Sequence, residues 1–366
     1  MSRISTLVRP GARRHPTAAA LAAAAIAAGS LVAGALAATT ASAAEALRVC
    51  ATTPDLASLV RRVGGDRVAV TAFVKPTEDP HFAEAKPSFV KALSEADLFV
   101  ENGLDLEVGY APPLLQGARN PRLLPGNAGF LDASRSITPR DVPTGTVDRS
   151  QGDVHPYGNP HYLLDPLNGV RVARAIADKL AELDAAGKSD YDARAAELEK
   201  EVYRALVGQR LADKYGADVP KLALLFEHGR LAPYLESQGE SSQLAGWLGD
   251  MAPHFGAKAV QDHRIWTYFA ARFGLDLVGE LEPKPGIPPT TRHLNELVDL
   301  MRAQDVRLVL ASAYYDPRYA EFLSEKVGAK VLKMANQVGA VPGADGYVGM
   351  IDHDVREVVR ALGAKP

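Results

Sequence analysis

Short apolar runs along the chain alternate with stretches in which apolar residues recur every three or four positions. Leu47–Thr52 and Val68–Val74 read as strands with a helix, Pro54–Val63, between them; Pro87–Ala96 reads as a helix and Asp97–Glu101 as a buried strand. This β–α–β order predicts a mainly parallel sheet with helices on both faces and ligands beyond the carboxyl ends of its strands. From Asp165-Pro166 the period changes. Asn168–Leu183 and Tyr191–Tyr215 carry the long amphipathic pattern of two helices, rich in Ala, Glu, Arg and Lys. After Pro220 the alternation resumes. Strands are expected at Leu222–Phe226, Val260–Gln261, Val278–Glu280, Val306–Leu310 and Lys330–Leu332, and helices near Thr267–Phe273, Thr291–Arg302 and Pro317–Val327. The expected fold class is α/β: two Rossmann-like lobes with mainly parallel sheets, 44–186 and 218–366, joined by a linker helix at 187–217. A cleft between lobes is a common place for a ligand. Leu231–Gly249 reads as a surface insertion in the second lobe, and no tandem repeat is visible.

Composition adds location. Arg3, Arg9, Arg13 and Arg14 precede an uncharged Ala/Leu/Ile run from Ala18 to Ala38, and Ala41-Ser42-Ala43 offers the small residues of a cleavage site. Residues 1–43 are therefore expected to be a cleavable signal peptide, by general secretion rather than the twin-arginine route, and the mature protein is expected in the periplasm. A permanent membrane anchor fits less well, because an alanine-dominated run is only weakly hydrophobic. Of 41 basic groups, four leave with the signal peptide; the remaining 37 against 44 acidic groups give a net charge of −7. No basic excess is left to neutralise a phosphate backbone, so nucleic acid is not an expected partner. The single cysteine, Cys50, lies in a strand-like run without the lead-in of a lipidation site and reads as a core residue. Any metal chemistry must then use His and carboxylates.

Eight histidines remain in the mature chain: His81, His155, His161, His228, His254, His263, His293 and His353. His81, in Asp79-Pro80-His81, and His263, in Asp262-His263-Arg264, each follow an expected strand, and His161 lies in Asn159-Pro160-His161-Tyr162. Loops at strand ends are where functional groups concentrate. Three neutral imidazoles suit zinc, and also copper, nickel or iron, better than Mg²⁺ or Ca²⁺. A lone loop histidine is more often a surface or hydrogen-bonded residue, so the reading depends on convergence.

The loop Asp79-Pro80-His81, with Lys86-Pro87-Ser88, Leu93-Ser94-Glu95-Ala96-Asp97-Leu98 and Glu101-Asn102-Gly103-Leu104, resembles the metal-binding solute receptors of zinc and manganese ABC importers. Asn159-Pro160-His161-Tyr162-Leu163-Leu164-Asp165-Pro166 resembles the second ligand motif of that family, and His263 through Arg272-Phe273-Gly274 its third. The likeness continues through Glu282-Pro283-Lys284-Pro285-Gly286 and Tyr314-Tyr315-Asp316-Pro317, covering nearly all of residues 47–360. It implies a rigid helix between the lobes, a metal in the cleft, and delivery to an ABC transporter permease by a monomeric receptor. By that resemblance His81 and His161 are first-lobe ligands and His263 a second-lobe ligand, for Zn²⁺ as transported cargo; a Mn²⁺ or Fe²⁺ receptor is the alternative. The family's fourth, acidic ligand falls on Ala335 in Met334-Ala335-Asn336-Gln337, so the expected shell is three histidines and a water, with the Asn336 amide oxygen as a weaker alternative and His155 read as a structural or accessory residue.

An open coordination position also suits a zinc hydrolase, with Glu78 or Asp79 as base, but zincin-type motifs are absent and no enzyme is expected. A surface adhesion protein would call for an anchor that the sequence does not display. Three imidazoles competing with protons predict affinity falling steeply below about pH 6. Asp165-Pro166 reads as a helix start, and Trp266, Tyr314 and Tyr315 as core or cleft wall.

Overall fold

The computed structural model describes residues 45–145, 154–284 and 286–363, together with Gly11. The expected signal peptide lies outside these residues, apart from Gly11, as do residues 146–153 of the loop before His155. No helix among the described residues is long and apolar enough to cross a membrane.

The first sheet is built from β1 (Leu47–Ala51), β2 (Val68–Ala72), β3 (Leu98–Glu101) and β4 (Phe130–Asp132), all parallel, in the order β2-β1-β3-β4. Helices α1 (Pro54–Gly64), α2 (Pro87–Glu95) and α3 (Ala111–Ala118) make the crossovers. Helix α1 shows how local sequence decides an element. The Thr53 hydroxyl accepts the Leu56 N–H, Pro54 opens the first turn, and Gly65 at φ +59° ends the helix. Leu56, Leu59, Val60 and Val63 then fall on one fully buried stripe, each contributing about 1.5–3 kcal/mol relative to exposure.

The middle of the chain is helical: α4 (Pro166–Leu183), α5 (Lys188–Val207), α6 (Gln209–Tyr215), α7 (Val219–Glu227), α8 (Leu231–Ser237) and α9 (Gly246–Met251). The second sheet holds β5 (Ala257–Gln261), β6 (Leu275–Glu280), β7 (Leu308–Ser312) and β8 (Lys330–Met334), in the parallel order β6-β5-β7-β8, with α10 (Thr267–Phe273), α11 (Thr291–Gln304), α12 (Pro317–Val327) and α13 (Gly346–Gly363) around it. The two sheets repeat one topology although the sequence shows no repeat. In each, the order reverses beside the first strand, which is where such folds open a crevice at the strand carboxyl ends.

Three expectations are corrected. Leu222–Phe226 is helical, not a strand: its run is Leu and Ala without β-branching, Pro220 suits a first turn, and Leu222, Ala223 and Phe226 are buried while Leu224 is 52% exposed. The helix expected over Tyr191–Tyr215 breaks at Gly208, whose φ of +81° leaves the right-handed helical region. Leu231–Gly249 is not a surface insertion, because Leu231, Leu235, Trp247 and Leu248 are buried in α8 and α9.

Helix α5, about 30 Å long at 1.5 Å per residue, packs on α1 and α4 and also on α9. Asp165 caps α4 as expected, its Oδ1 accepting the Leu167 N–H at 3.0 Å. It also grips Arg272 of α10 through two hydrogen bonds of 2.9 and 2.8 Å, with both side chains 6% exposed. The Tyr268 hydroxyl accepts the Arg140 N–H and donates to the Asn159 carbonyl. Those contacts fix the second sheet's helices against the segment that carries His161.

Candidate metal centre

Each histidine of the cluster is placed by a different local device. His81 sits in a single 3₁₀ turn, Pro80–Phe82, in the loop after β2. Asp79 caps that turn, its Oδ1 accepting the His81 N–H at 2.9 Å and lying 2.7 Å from the ring Nδ1. Burial would raise the Asp79 carboxyl, but its hydrogen bonds with His81 prevail and hold it below the usual range. His263 follows β5, the strand at which the second sheet reverses order. Its N–H donates to Asp262 Oδ1 at 2.8 Å, and its Nδ1 lies 2.7 Å from Glu282 Oε2, beyond the end of β6. Asp262 is anchored in turn by the Ser312 N–H at 2.5 Å.

His161 depends on a buried polar network. Glu107 accepts from the Thr52 hydroxyl and from the N–H groups of Asn102 and Gly103. Burial pushes its carboxyl up to about 7 against the pull of those donors. Asn102, oriented by these bonds, donates its amide to the Pro160 carbonyl at 2.9 Å, and the Asn159 side chain accepts the His161 N–H. The Glu107 network thus reaches His161 through one backbone carbonyl.

The three rings meet. Ring centroids lie 5.2 Å apart for His81–His161, 5.5 Å for His81–His263 and 5.8 Å for His161–His263. One ligand nitrogen from each lies within 4.8 Å of the others. Nε2 of His81 and of His161 are buried with no hydrogen-bond partner among the described residues. Unpartnered buried nitrogens are costly unless something else satisfies them. Behind the rings, Asp79 and Glu282 hold Nδ1, the carboxylate–histidine arrangement that fixes the tautomer and leaves Nε2 free for a metal. Burial, then the neighbouring His81 and His263, hold the His161 ring well below the ordinary histidine range, so it stays neutral and able to ligate.

His155 also reaches the cluster, with its ring 5.2 Å from that of His81. Asn336 does not share that space. It lines a separate cavity of about 20 Å³ behind His161, with Asp55, Asn102 and Gln337. The cleft walls are as expected: the Tyr315 ring stacks on His263 at 5.7 Å and Trp266 is fully buried. His228, His254, His293 and His353 lie outside the cluster; His293 instead pairs its Nε2 with the Glu280 carbonyl. A larger cavity, about 790 Å³, opens beside α3 and contains no cluster histidine. Sequence reasoning named Asp79 only as a possible base and gave Glu282 no role. The Asp-Pro-His spacing signals the first pairing, while the second joins residues nineteen positions apart on neighbouring strand ends.

The chain matches the family described as "Zinc-uptake complex component A periplasmic" over residues 49–212 and 238–361. A manganese-binding lipoprotein, MntA, of Halalkalibacterium halodurans is 24% identical over 329 residues, covering 88% of this chain and 91% of that protein. The metal ABC transporter substrate-binding lipoprotein ScbA of Streptococcus cristatus is 29% identical over 157 residues, 42% of this chain and 47% of its own length, so less than half of it is spanned. Among solved structures, a zinc-bound ZnuA deletion mutant superposes with a TM-score of 0.62 at 22% identity, over 88% of this chain and 100% of that one, a likeness of fold.

Proposed function

This chain belongs to the zinc-uptake component A family, metal-binding substrate-binding proteins of ABC transporters rather than enzymes, and from that premise we propose that its cargo is Zn²⁺, held by His81, His161 and His263. Proteins of this kind are exported and hand their ion to a membrane permease driven by an ATPase. The observation that carries the zinc reading is the donor set: among the described residues, the groups that converge at ligand spacing are three imidazoles and no carboxylate. Imidazole suits zinc, whereas manganese prefers oxygen ligands and stands lowest in the divalent affinity order. Nitrogens bound to one zinc at about 2.0–2.1 Å lie within the 4.8 Å that bounds the separations of the three.

A manganese cargo is the second reading, favoured by the name of the Halalkalibacterium relative. Competition titration of the purified protein decides between them. Zinc should displace manganese with at least tenfold preference at one ion per chain, and equal or tighter manganese binding would overturn the zinc reading. The protein acts as a monomer, released to the periplasm by cleavage after Ala43. Support for release over a lipid anchor comes from Cys50, which is buried inside β1 with its thiol pushed up to about 12 by burial. Sequencing the exported protein from Ala44 tests this.

A further inference from the structure

We infer that His155 supplies the fourth ligand, so that the bound ion is enclosed by four imidazoles and no water. This inference rests on the reading of His81, His161 and His263 as ligands and goes beyond it.

His155 Nε2 is buried and without a hydrogen-bond partner among the described residues, the same condition as His81 Nε2 and His161 Nε2. The His155 ring also hydrogen-bonds the Leu104 carbonyl. Since Nε2 has no partner, Nδ1 is the donor. That bond sets the tautomer with a free Nε2, as Asp79 and Glu282 do behind His81 and His263. The anchoring carbonyl belongs to a residue with φ +55°, followed by Asp105 at +64°; such backbone persists only where its surroundings hold it.

The turn that presents His155 is itself docked. The Gly158 N–H bonds the His155 carbonyl and the Asn159 N–H bonds the Arg140 carbonyl. Gly158 has φ +112°, and a Cβ there would meet Pro139 at 2.7 Å and the Arg140 carbonyl at 2.9 Å, so the chain makes this approach only with glycine. His155, His161 and His263, though not His81, line one cavity of about 40 Å³, and the His155 ring lies 5.2 Å from that of His81. Asn336, the other accessory donor expected from the sequence, has an unpartnered buried Oδ1 as well, but it opens on the cavity behind His161, which neither His81 nor His263 lines. A closed four-nitrogen shell suits tetrahedral zinc and disfavours an octahedral oxygen-seeking ion.

Cobalt(II) as a visible probe and zinc titration test this in the full mature chain. His155→Ala should lower the intensity of the cobalt d–d bands at least twofold as water enters the shell. It should also weaken zinc by at least the roughly 10–100-fold that loss of an outer hydrogen-bond partner costs. Asn336→Ala should leave both unchanged within twofold. Long-range ¹H–¹⁵N spectra of the zinc-loaded wild type need no variant: four metal-bound imidazoles support the inference and three overturn it. A His155→Ala protein with wild-type bands and affinity, beside an impaired His81→Ala, overturns the fourth ligand alone. If His81→Ala binds zinc as the wild type does, the underlying triad fails too.

Discussion

Glu282 offers the sharpest test of how the cluster is held. Its Oε2 lies 2.7 Å from His263 Nδ1 and also accepts the Gly286 N–H at 2.7 Å, with the two side chains only 4% and 9% exposed. Glu282→Ala removes the carboxylate that holds His263 Nδ1. The ring loses its preferred tautomer and its orientation, and its Nε2 becomes a poorer donor to a dication. Partners of this kind are worth about 10–100-fold in metal affinity, or roughly 1.4–2.7 kcal/mol. Zinc affinity should drop by that factor in competition with a chromophoric chelator, at unchanged stoichiometry and far-UV circular dichroism. Glu282→Gln keeps an acceptor oxygen but loses the charge, so it should fall between wild type and Ala. If Glu282→Ala binds zinc within twofold of wild type, the orientation of His263 does not depend on this carboxylate and the reasoning fails.

Arg272→Leu leaves Asp165 buried without its partner, which costs about 3–5 kcal/mol. At about 2.1 cal/mol/K per residue over roughly 320 residues, Tm should fall by about 4–7 °C in calorimetry, and an unchanged Tm would mean the pair is not stabilising. Burial, then the charges of neighbouring histidines, hold His161 well below its ordinary value and bring His155 down to about 3. Both are neutral when folded and protonated when unfolded below about pH 6.5, so apo stability should fall on acidification from about 6.5, by up to about 1.4 kcal/mol per pH unit for each. Denaturant midpoints between pH 7 and 5 check this; a flat profile contradicts it. Hydrogen exchange with and without zinc should show added protection at both His81 and His263, and protection confined to the first lobe would exclude a site that spans the two sheets.

The same depressed values revise the pH dependence expected from the sequence. Three free imidazoles would make zinc compete with three protons below about pH 6, but His161 arrives already neutral, so the fall should be shallower. That correction was not legible in the sequence because it depends on what surrounds the ring. What was legible has strong local signals: Thr53-Pro54 before α1, Asp165-Pro166 before α4, and the period of α10 and α12. Leu222–Phe226 misled because a short apolar run carries no period that separates a strand from a buried helix. The three histidines were identifiable through their motifs, and His155 only as a neighbour in sequence. Its approach to His81 depends on a turn closed by Gly158 and on the carbonyl of Leu104, about fifty residues away, and neither leaves a mark in the order of residue types.

The fold also constrains how an ion enters and leaves. The lobes are tied by Arg272 to Asp165, by Tyr268 to Asn159 and Arg140, and by Tyr347, whose hydroxyl donates to the Leu163 carbonyl at 2.7 Å. On the far side, Asp55 of α1 accepts the Val338 N–H at 2.6 Å and the Gln337 amide donates to the Glu78 carbonyl at 2.8 Å. Burial pushes the Asp55 carboxyl up to about 7. A wide hinge opening would have to break these buried contacts together, leaving donors and charges unpaired at a cost of a few kcal/mol each. Moving the Asp79–Phe82 turn breaks far less, since Phe82 is 67% exposed and the turn is held mainly by Asp79. Ion exchange should therefore proceed by local displacement of His81, while His161 stays held by Asn159 and the Asn102–Pro160 bond and His263 stays fixed at the end of β5.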